Sequence, residues 1–260
     1  MGLKVRKRTS VRWPERPGAT WACLAALALA SGLAAHARAQ DVAPPVVAGI
    51  EAYNRGNVAD AFRLLKTAAD AGDPDAQLNL GYLYARGQGV AQNQQEAMRL
   101  YLLSAKQGNP EGMNAVGFKY RYGTGVEIDL PRAVHWFCRA AVAGDPRGLN
   151  NLGIMYNDGQ GVDRDMEEAR NLWRQSAERS NPNAMFNLSQ SLFFEMPQDR
   201  VLASKLLLQS AQLGSAAAQK MLRQLGYDGP LPPVVNPELE MSRARKDLPP
   251  GNVRDCGFCC

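Results

Sequence analysis

Counted from Pro74, the apolar or small residues Ala76, Leu80, Gly81 and Tyr84 collect on one stripe of an α-helix. The stripe returns every 36 residues, with Gly81, Gly117 and Gly153 in step, then Ser189, and with Tyr84, Tyr120 and Tyr156 beside them. A second stripe follows each first one. In it Ala97, Ala133 and Ala169 are each succeeded, one helical turn on, by a ring: Tyr101, Phe137 and Trp173. One period therefore predicts two amphipathic helices. A fixed period of about 20–50 residues is the mark of a stacked repeat array, so the fold class is all-α, an α-solenoid of helix-loop-helix units.

Polar residues punctuate the same register. Asp73, Asn109, Asp145 and Asn181 each precede a proline (Pro74, Pro110, Pro146, Pro182). A carboxylate or amide at the N-cap accepts from an orphan backbone N–H, and proline at the first helical position has no N–H to leave unpaired. The strings GQGV at 87–90, GTGV at 123–126 and GQGV at 159–162 stop the first helix and turn the chain. Asn93, Asp129 and Asp165 then cap the second helix, and Gly72, Gly108, Gly144 and Gly214 sit where C′ glycines close it. The first (A) helices are expected at 74–86, 110–122, 146–158 and 182–194, and the second (B) helices at 93–107, 129–143, 165–179 and 199–213. Upstream, helices near 45–55 and 58–71 lack the long loop and turn at Gly56-Asn57. Downstream, the fourth period is shorter, its loop reads FEMPQD at 194–199 without glycine, and Ser215–Tyr227 supplies a capping helix. Atypical ends are expected of a solenoid, whose terminal units face water.

With these residues in view, NLGYLYARGQGV at 79–90 and NLGIMYNDGQGV at 151–162 resemble Sel-one-like repeats, relatives of tetratricopeptide repeats. The resemblance runs over about 58–226, with the unit at 40–73 nearer the tetratricopeptide spacing and the repeats with their cap at 74–226. It implies a right-handed α-solenoid used for protein–protein assembly, in several bacterial cases within the cell envelope.

Residues 1–39 read as an export signal. Lys4, Arg6, Lys7, Arg8, Arg12 and Arg16 precede an apolar run from Ala19 to Ala35, and Ala37-Arg38-Ala39 offers an A-x-A site before Gln40. The competing reading is a membrane anchor, but the run falls short of the roughly 20 residues a spanning helix needs. Removing the signal lowers the balance from 30 basic and 25 acidic side chains to 23 and 24. A near-neutral mature chain argues against nucleic-acid binding and against polybasic attachment to membranes, so a membrane would be met only through a partner. The expected location is exported and periplasmic, with secretion as the alternative. Residues 227–260 are rich in proline, without helical periodicity, and read as an extended or disordered arm.

Cysteines enter here. Cys138 lies beside Phe137 on a B helix, where a small buried hydrophobe is expected. Cys256, Cys259 and Cys260 close the chain, and an export compartment favours a disulfide within that tail or from tail to body. Metal binding needs more ligands than the tail supplies, and prenylation of a terminal Cys-Cys conflicts with export.

Catalytic groupings are missing from the pattern. After the signal one histidine remains, His135, too few for a multi-His metal site. The GxG loops lack the GxxxxGK[ST] of a phosphate cradle, and their repetition marks turns. Some cysteine-rich secreted relatives are linked with penicillin binding, yet no Ser-x-x-Lys occurs here and that group's cysteine pairs are absent. No enzyme activity and no cofactor are expected.

By the family's geometry the A helices line a concave face. The exposed stripe is then placed two residues from the core stripe: Leu78, Tyr82 and Ala85; Asn114, Phe118 and Arg121; Asn150, Ile154 and Asn157; Phe186, Gln190 and Phe193. Apolar side chains among Asn, Gln and Arg make a groove for a protein or peptide. Two functions follow from the resemblance: an envelope scaffold or regulator, as in sensor-kinase regulation or polysaccharide-export assembly, or a secreted effector acting on host proteins.

Overall fold

The computed structural model describes residues 45–227 and 229. The expected export signal and the body of the C-terminal arm lie outside them. Eleven α-helices are formed by the described residues, in antiparallel pairs. The first pair is α1 (Pro45–Asn54) and α2 (Val58–Asp70). Three full repeats follow: α3 (Pro74–Arg86) with α4 (Gln94–Lys106), α5 (Pro110–Tyr122) with α6 (Leu130–Val142), and α7 (Pro146–Asp158) with α8 (Met166–Glu178). The fourth pair is α9 (Pro182–Glu195) and α10 (Arg200–Gln212), and α11 (Ala216–Gln224) caps the array.

The expected punctuation forms as hydrogen bonds. Asp73, Asn109, Asp145 and Asn181 accept from backbone N–H groups in the first turns of α3, α5, α7 and α9. Asn93, Asp129 and Asp165 do so for α4, α6 and α8. Asp199, before α10, accepts no such bond, and a short 3-10 turn at Pro197–Asp199 replaces the glycine loop. Left-handed glycines close α3, α5 and α7 at Gly87, Gly123 and Gly159, with φ of 66°, 66° and 65°. One position breaks the rule: after α8 the left-handed residue is Ser180, at φ 59°.

Each loop is pinned to its own A helix and lies close against the repeat before it. The backbone N–H of Asn93, Asp129 and Asp165 donates to the carbonyls of Tyr84, Tyr120 and Tyr156 at 2.9, 2.9 and 3.0 Å. A Cβ on Gly125 would lie 2.4 Å from the Gln94 carbonyl oxygen, at the start of the previous B helix, so only glycine lets the loop come that close. The core is a chain of buried clusters, one per repeat. Tyr84, Tyr120 and Tyr156 each pack against two neighbouring clusters, which makes the chain continuous.

The helical glycines serve a different contact. A Cβ on Gly81 would meet the Tyr101 ring at 2.5 Å, one on Gly117 the Phe137 ring at 2.7 Å, and one on Gly153 the Trp173 indole at 2.7 Å. Each A helix thus gives up a side chain to seat the aromatic of its own B helix.

Candidate interaction surface

Successive A-type helices touch directly, α1 with α3, α3 with α5, α5 with α7 and α9 with α11, and no two successive B helices do so to that extent. The A helices therefore line the inside of the bend. Their sides toward the B helices are filled by Ala76, Leu83, Val116, Leu149, Leu152 and Met155, all fully buried.

The expected open stripe separates into three rows. Its first row, Leu78, Asn114, Asn150 and Phe186, is a seam between repeats, which corrects the reading of Leu78 and Asn150 as exposed. Leu78 is 4% exposed and packs with Met113, Ala115 and Val116; Asn150 is 6% exposed and accepts from Asn187 Nδ2 at 3.0 Å. Asn114 accepts from Asn151 Nδ2 at 2.8 Å, and Phe186 packs toward Leu207 and the cap residues Ala218 and Leu222. The reason is geometric. The first and middle rows lie four residues apart, about 40° around the helix, and that rotation turns the first row toward the next A helix.

The third row, Ala85, Arg121, Asn157 and Phe193, lies near the loops. Arg121 reaches into the next repeat, 3.5 Å from the Asp158 carboxylate, and donates to Gln160 Oε1 at 3.2 Å. Asn157 donates to Asp158 Oδ1 at 2.6 Å. Phe193 is 38% exposed. Only the middle row, Tyr82, Phe118, Ile154 and Gln190, follows the inner face, and even there Tyr82 stacks edge-on against Tyr101 at 5.4 Å and Ile154 packs on the α8–α9 cluster.

Sequence reasoning missed the rows on either side of it, one and twelve residues after each helix-opening proline. The first holds Asp75, Glu111, Arg147 and Asn183; the other holds Arg86, Tyr122, Asp158 and Phe194. Each position lies within about 40° of the middle row at about 100° per residue, which a helical wheel would have found. These rows give the inner face two features.

The first is an ionic staple. The Arg147 guanidinium lies 2.9 Å from the Glu111 carboxylate of the preceding A helix and 3.3 Å from its own N-cap, Asp145. The Tyr82 hydroxyl, one A helix further back, feels its charge. Burial opposes the Arg147 charge, but Asp145, Glu111 and Tyr82 outweigh it and hold the group more firmly protonated than usual. Burial likewise pushes the Asp145 carboxyl up, against the pull of Arg147. One guanidinium so connects α5 and α7, with Tyr82 of α3 beside it.

The second is aromatic. Phe118 and Tyr122 on α5 are each 49% exposed, with ring centroids 4.4 Å apart. Phe193 and Phe194 on α9 form a second pair at 5.4 Å, and Phe194 is 69% exposed. The guanidinium groups of Arg121 and Arg200 lie over Tyr122 and Phe193 at 5.2 and 5.4 Å. Two A-helix spacings of about 8–10 Å each separate the pairs, so the inner face offers two sticky aromatic edges roughly 20 Å apart.

Among the described residues no group of three or more His, Cys, Asp or Glu is placed to hold a metal, and no helix is long and apolar enough to cross a membrane. Cys138 is fully buried and its sulfur is in a disulfide; every other cysteine of the chain lies outside the described residues. The expectations for Cys256, Cys259 and Cys260 fall there too.

Comparison with known proteins fits this geometry. The Sel1 repeat model matches residues 50–73, 74–109, 110–145, 146–181 and 182–215, so the first, shorter unit counts as a repeat as well. A Sel1 repeat protein from Oxalobacter formigenes has a similar crystal structure, with a TM-score of 0.64 and 29% identity over 76% of this chain and 83% of that one. The crystal structure of c5321, a protective antigen present in uropathogenic Escherichia coli strains and displaying an SLR fold, is similar at a TM-score of 0.59 and 32% identity. The match covers 76% of this chain but only 44% of c5321. No curated protein matches the sequence. Sel1 repeats are generally non-catalytic modules of protein–protein interaction. By five matched units and the helix pairing described above, the chain belongs to the Sel1 repeat family.

Proposed function

We propose that this protein is a non-enzymatic scaffold or regulator, exported to the cell envelope, which grips a partner protein or peptide on the inner face of its A helices. The observation that carries this reading is the exposed pair of tilted rings Phe118–Tyr122 on that face. Two half-exposed rings in contact add about 1 kcal/mol at most to the fold, whereas aromatic residues at an interface centre carry much of the binding energy. The second pair at Phe193–Phe194 sets the length of the occupant. Two apolar anchors about 20 Å apart match roughly 14 residues of a helix or six of an extended strand. Recognition would then rest on an amphipathic or extended segment with apolar anchors at that separation. Export rests on the A-x-A site that ends the apolar run at Ala39.

The test is photo-crosslinking in the envelope, with a benzophenone amino acid placed at position 118, 122 or 194, and at exposed Val201 on α10 as the outward-facing control. A discrete adduct from the three inner positions and none from 201 is expected. Phe118→Ala and Tyr122→Ala are expected to weaken capture of that adduct partner about thirtyfold while melting within a degree or two of the parent. Adducts from position 201 alone, or full-strength capture by both alanine variants, would refute use of the inner face. An intact mass that retains residues 1–39 would refute export by cleavage.

A further inference from the structure

Four asparagines on the inner helices are joined in one line. Asn187 of α9 donates to Asn150 of α7 at 3.0 Å, Asn150 to its neighbour Asn151 at 3.4 Å, and Asn151 to Asn114 of α5 at 2.8 Å. Each bond runs from an amide Nδ2 to the next Oδ1, so the bonds polarise one another in a single direction. The line ends open. Asn187 Oδ1 receives no hydrogen bond, Asn114 Nδ2 gives none, and neither atom is buried. Asn151 and Asn187 follow the inner-face residues Arg147 and Asn183 by four positions, about 40° around the helix, so the line borders that face. It runs from α5 to α9, the two helices that carry the aromatic pairs.

We propose that this amide line reads the backbone of an extended, polyproline II segment of the partner, laid from α5 to α9 with apolar side chains on the two aromatic pairs. The inference rests on the inner face being the binding face, and it names the conformation of what binds there. Three amides of the line are partly exposed, Asn114, Asn151 and Asn187, one on each A helix. An amide side chain offers a donor and an acceptor together, the complement of one unpaired peptide group. A helical segment bonds both groups internally and would leave the line unused. Spacing chooses between the extended forms. Successive A helices stand about 8–10 Å apart. A β-strand presents the same face every two residues, about 6.8 Å, and falls out of step. Polyproline II repeats every three residues, about 9.3 Å, and has no internal hydrogen bonds. Two of its turns cover about 19 Å, close to the separation of the aromatic pairs, and such segments dock on aromatic-lined surfaces.

Fluorescence anisotropy with two labelled peptides tests this. One is Leu-Pro-Pro-Ala-Pro-Pro-Leu, in which a residue with a backbone N–H recurs at every third position. The other is an amphipathic helix with leucines about fourteen residues apart, the same span. The extended peptide is expected to bind about tenfold tighter than the helix, and Phe118→Ala to weaken it by about tenfold or more. Asn114→Asp keeps the oxygen that accepts from Asn151 and removes only the outward N–H, so it is expected to fold like the parent and to weaken the peptide about tenfold. Replacing the central alanine of the peptide by lactic acid, an ester without the N–H, probes the same line from the ligand side and is expected to lose a similar factor of about ten. Tighter binding of the helix, or no binding of the extended peptide at about 1 mM, would overturn the inference. An extended peptide weakened by Phe118→Ala but indifferent to Asn114→Asp and to the ester would overturn the amide line and leave the inner face standing. Indifference to all three changes would overturn both.

Discussion

Substituting Gly117 by alanine should be harmful, although helix propensity says the reverse. Ala is favoured over Gly inside a helix by about 1 kcal/mol, and Gly117 lies mid-helix in α5. Yet a Cβ at 117 would stand 2.7 Å from both Cδ1 and Cε1 of Phe137, and that ring is 0% exposed in a cluster with Val134, Leu149 and Leu152. The ring has nowhere to retreat, so the added methyl forces a shift of α5 from α6, an overpacking cost of about 1–3 kcal/mol. The contact lies at the severe end of that range, so the net loss for Gly117→Ala is about 1–2 kcal/mol. The chain itself supplies the control. In the fourth unit the A helix has Ser189 where its siblings have glycine, and the B helix has Leu207 where they have an aromatic ring. In a Phe137→Leu background, then, Gly117→Ala is expected to be neutral or stabilising by up to about 1 kcal/mol. Urea midpoints with m-values for the parent, both single variants and the double variant give the coupling, expected at about 2 kcal/mol. A coupling below about 0.5 kcal/mol would refute the steric account of the helical glycines.

Three further outcomes are expected. Ser180 holds φ 59° where the sibling repeats place Gly72, Gly108 and Gly144, so Ser180→Gly should relieve about 1 kcal/mol and raise the melting temperature by a few degrees; an unchanged or lower value would contradict backbone strain there. Lys119 fills the core position held by Leu83 and Met155 in its siblings, 7% exposed, donating to Gln94 Oε1, and Lys119→Met should stabilise by about 1–2 kcal/mol. Burial lowers the Lys119 pKa below 10.5, so the unfolded chain binds more protons through that window and parent stability gains a rising contribution as pH climbs toward 10.5; the Lys119→Met variant should lack that slope in urea titrations. Arg147→Met leaves buried Asp145 without its cation and should cost about 1–3 kcal/mol at pH 7, less on acidification as the Asp145 carboxyl, pushed up by burial, takes its proton; a loss that grows on acidification would contradict the staple.

Element boundaries were legible because each is written in local chemistry. Asp-Pro and Asn-Pro open helices by hydrogen bonds between near neighbours, and left-handed glycines end them, so the observed bounds of α1–α10 fall within a residue or two of the expected ones, while the cap α11 stops at Gln224, three residues before Tyr227. The open face was less legible, since it depends on where the next repeat lies. Leu78 looks like a candidate anchor until α5 is seen to cover it, and Tyr82 is an inner-face residue whose ring is already engaged with Tyr101. Nothing in the sequence singles out Arg147, because its partners Glu111 and Tyr82 come from other A helices that only the fold brings beside it.

What remains uncommitted after those internal partners are assigned is a better guide to binding than the apolar pattern itself. Across the inner face the cations and carboxylates of α5 and α7 pair with one another, Arg121 with Asp158 and Arg147 with Glu111. Their pairing fixes the spacing of the A helices and removes charge as a source of selectivity at the centre of the groove. The aromatic pairs at Phe118–Tyr122 and Phe193–Phe194 stay exposed on either side of that paired centre. A partner would then be selected by the separation of its apolar anchors, and its affinity should depend only weakly on ionic strength. Binding measured from 50 to 500 mM salt tests this: a change in Kd of more than about tenfold would show that exposed charge, and not the aromatic pairs, does the selecting.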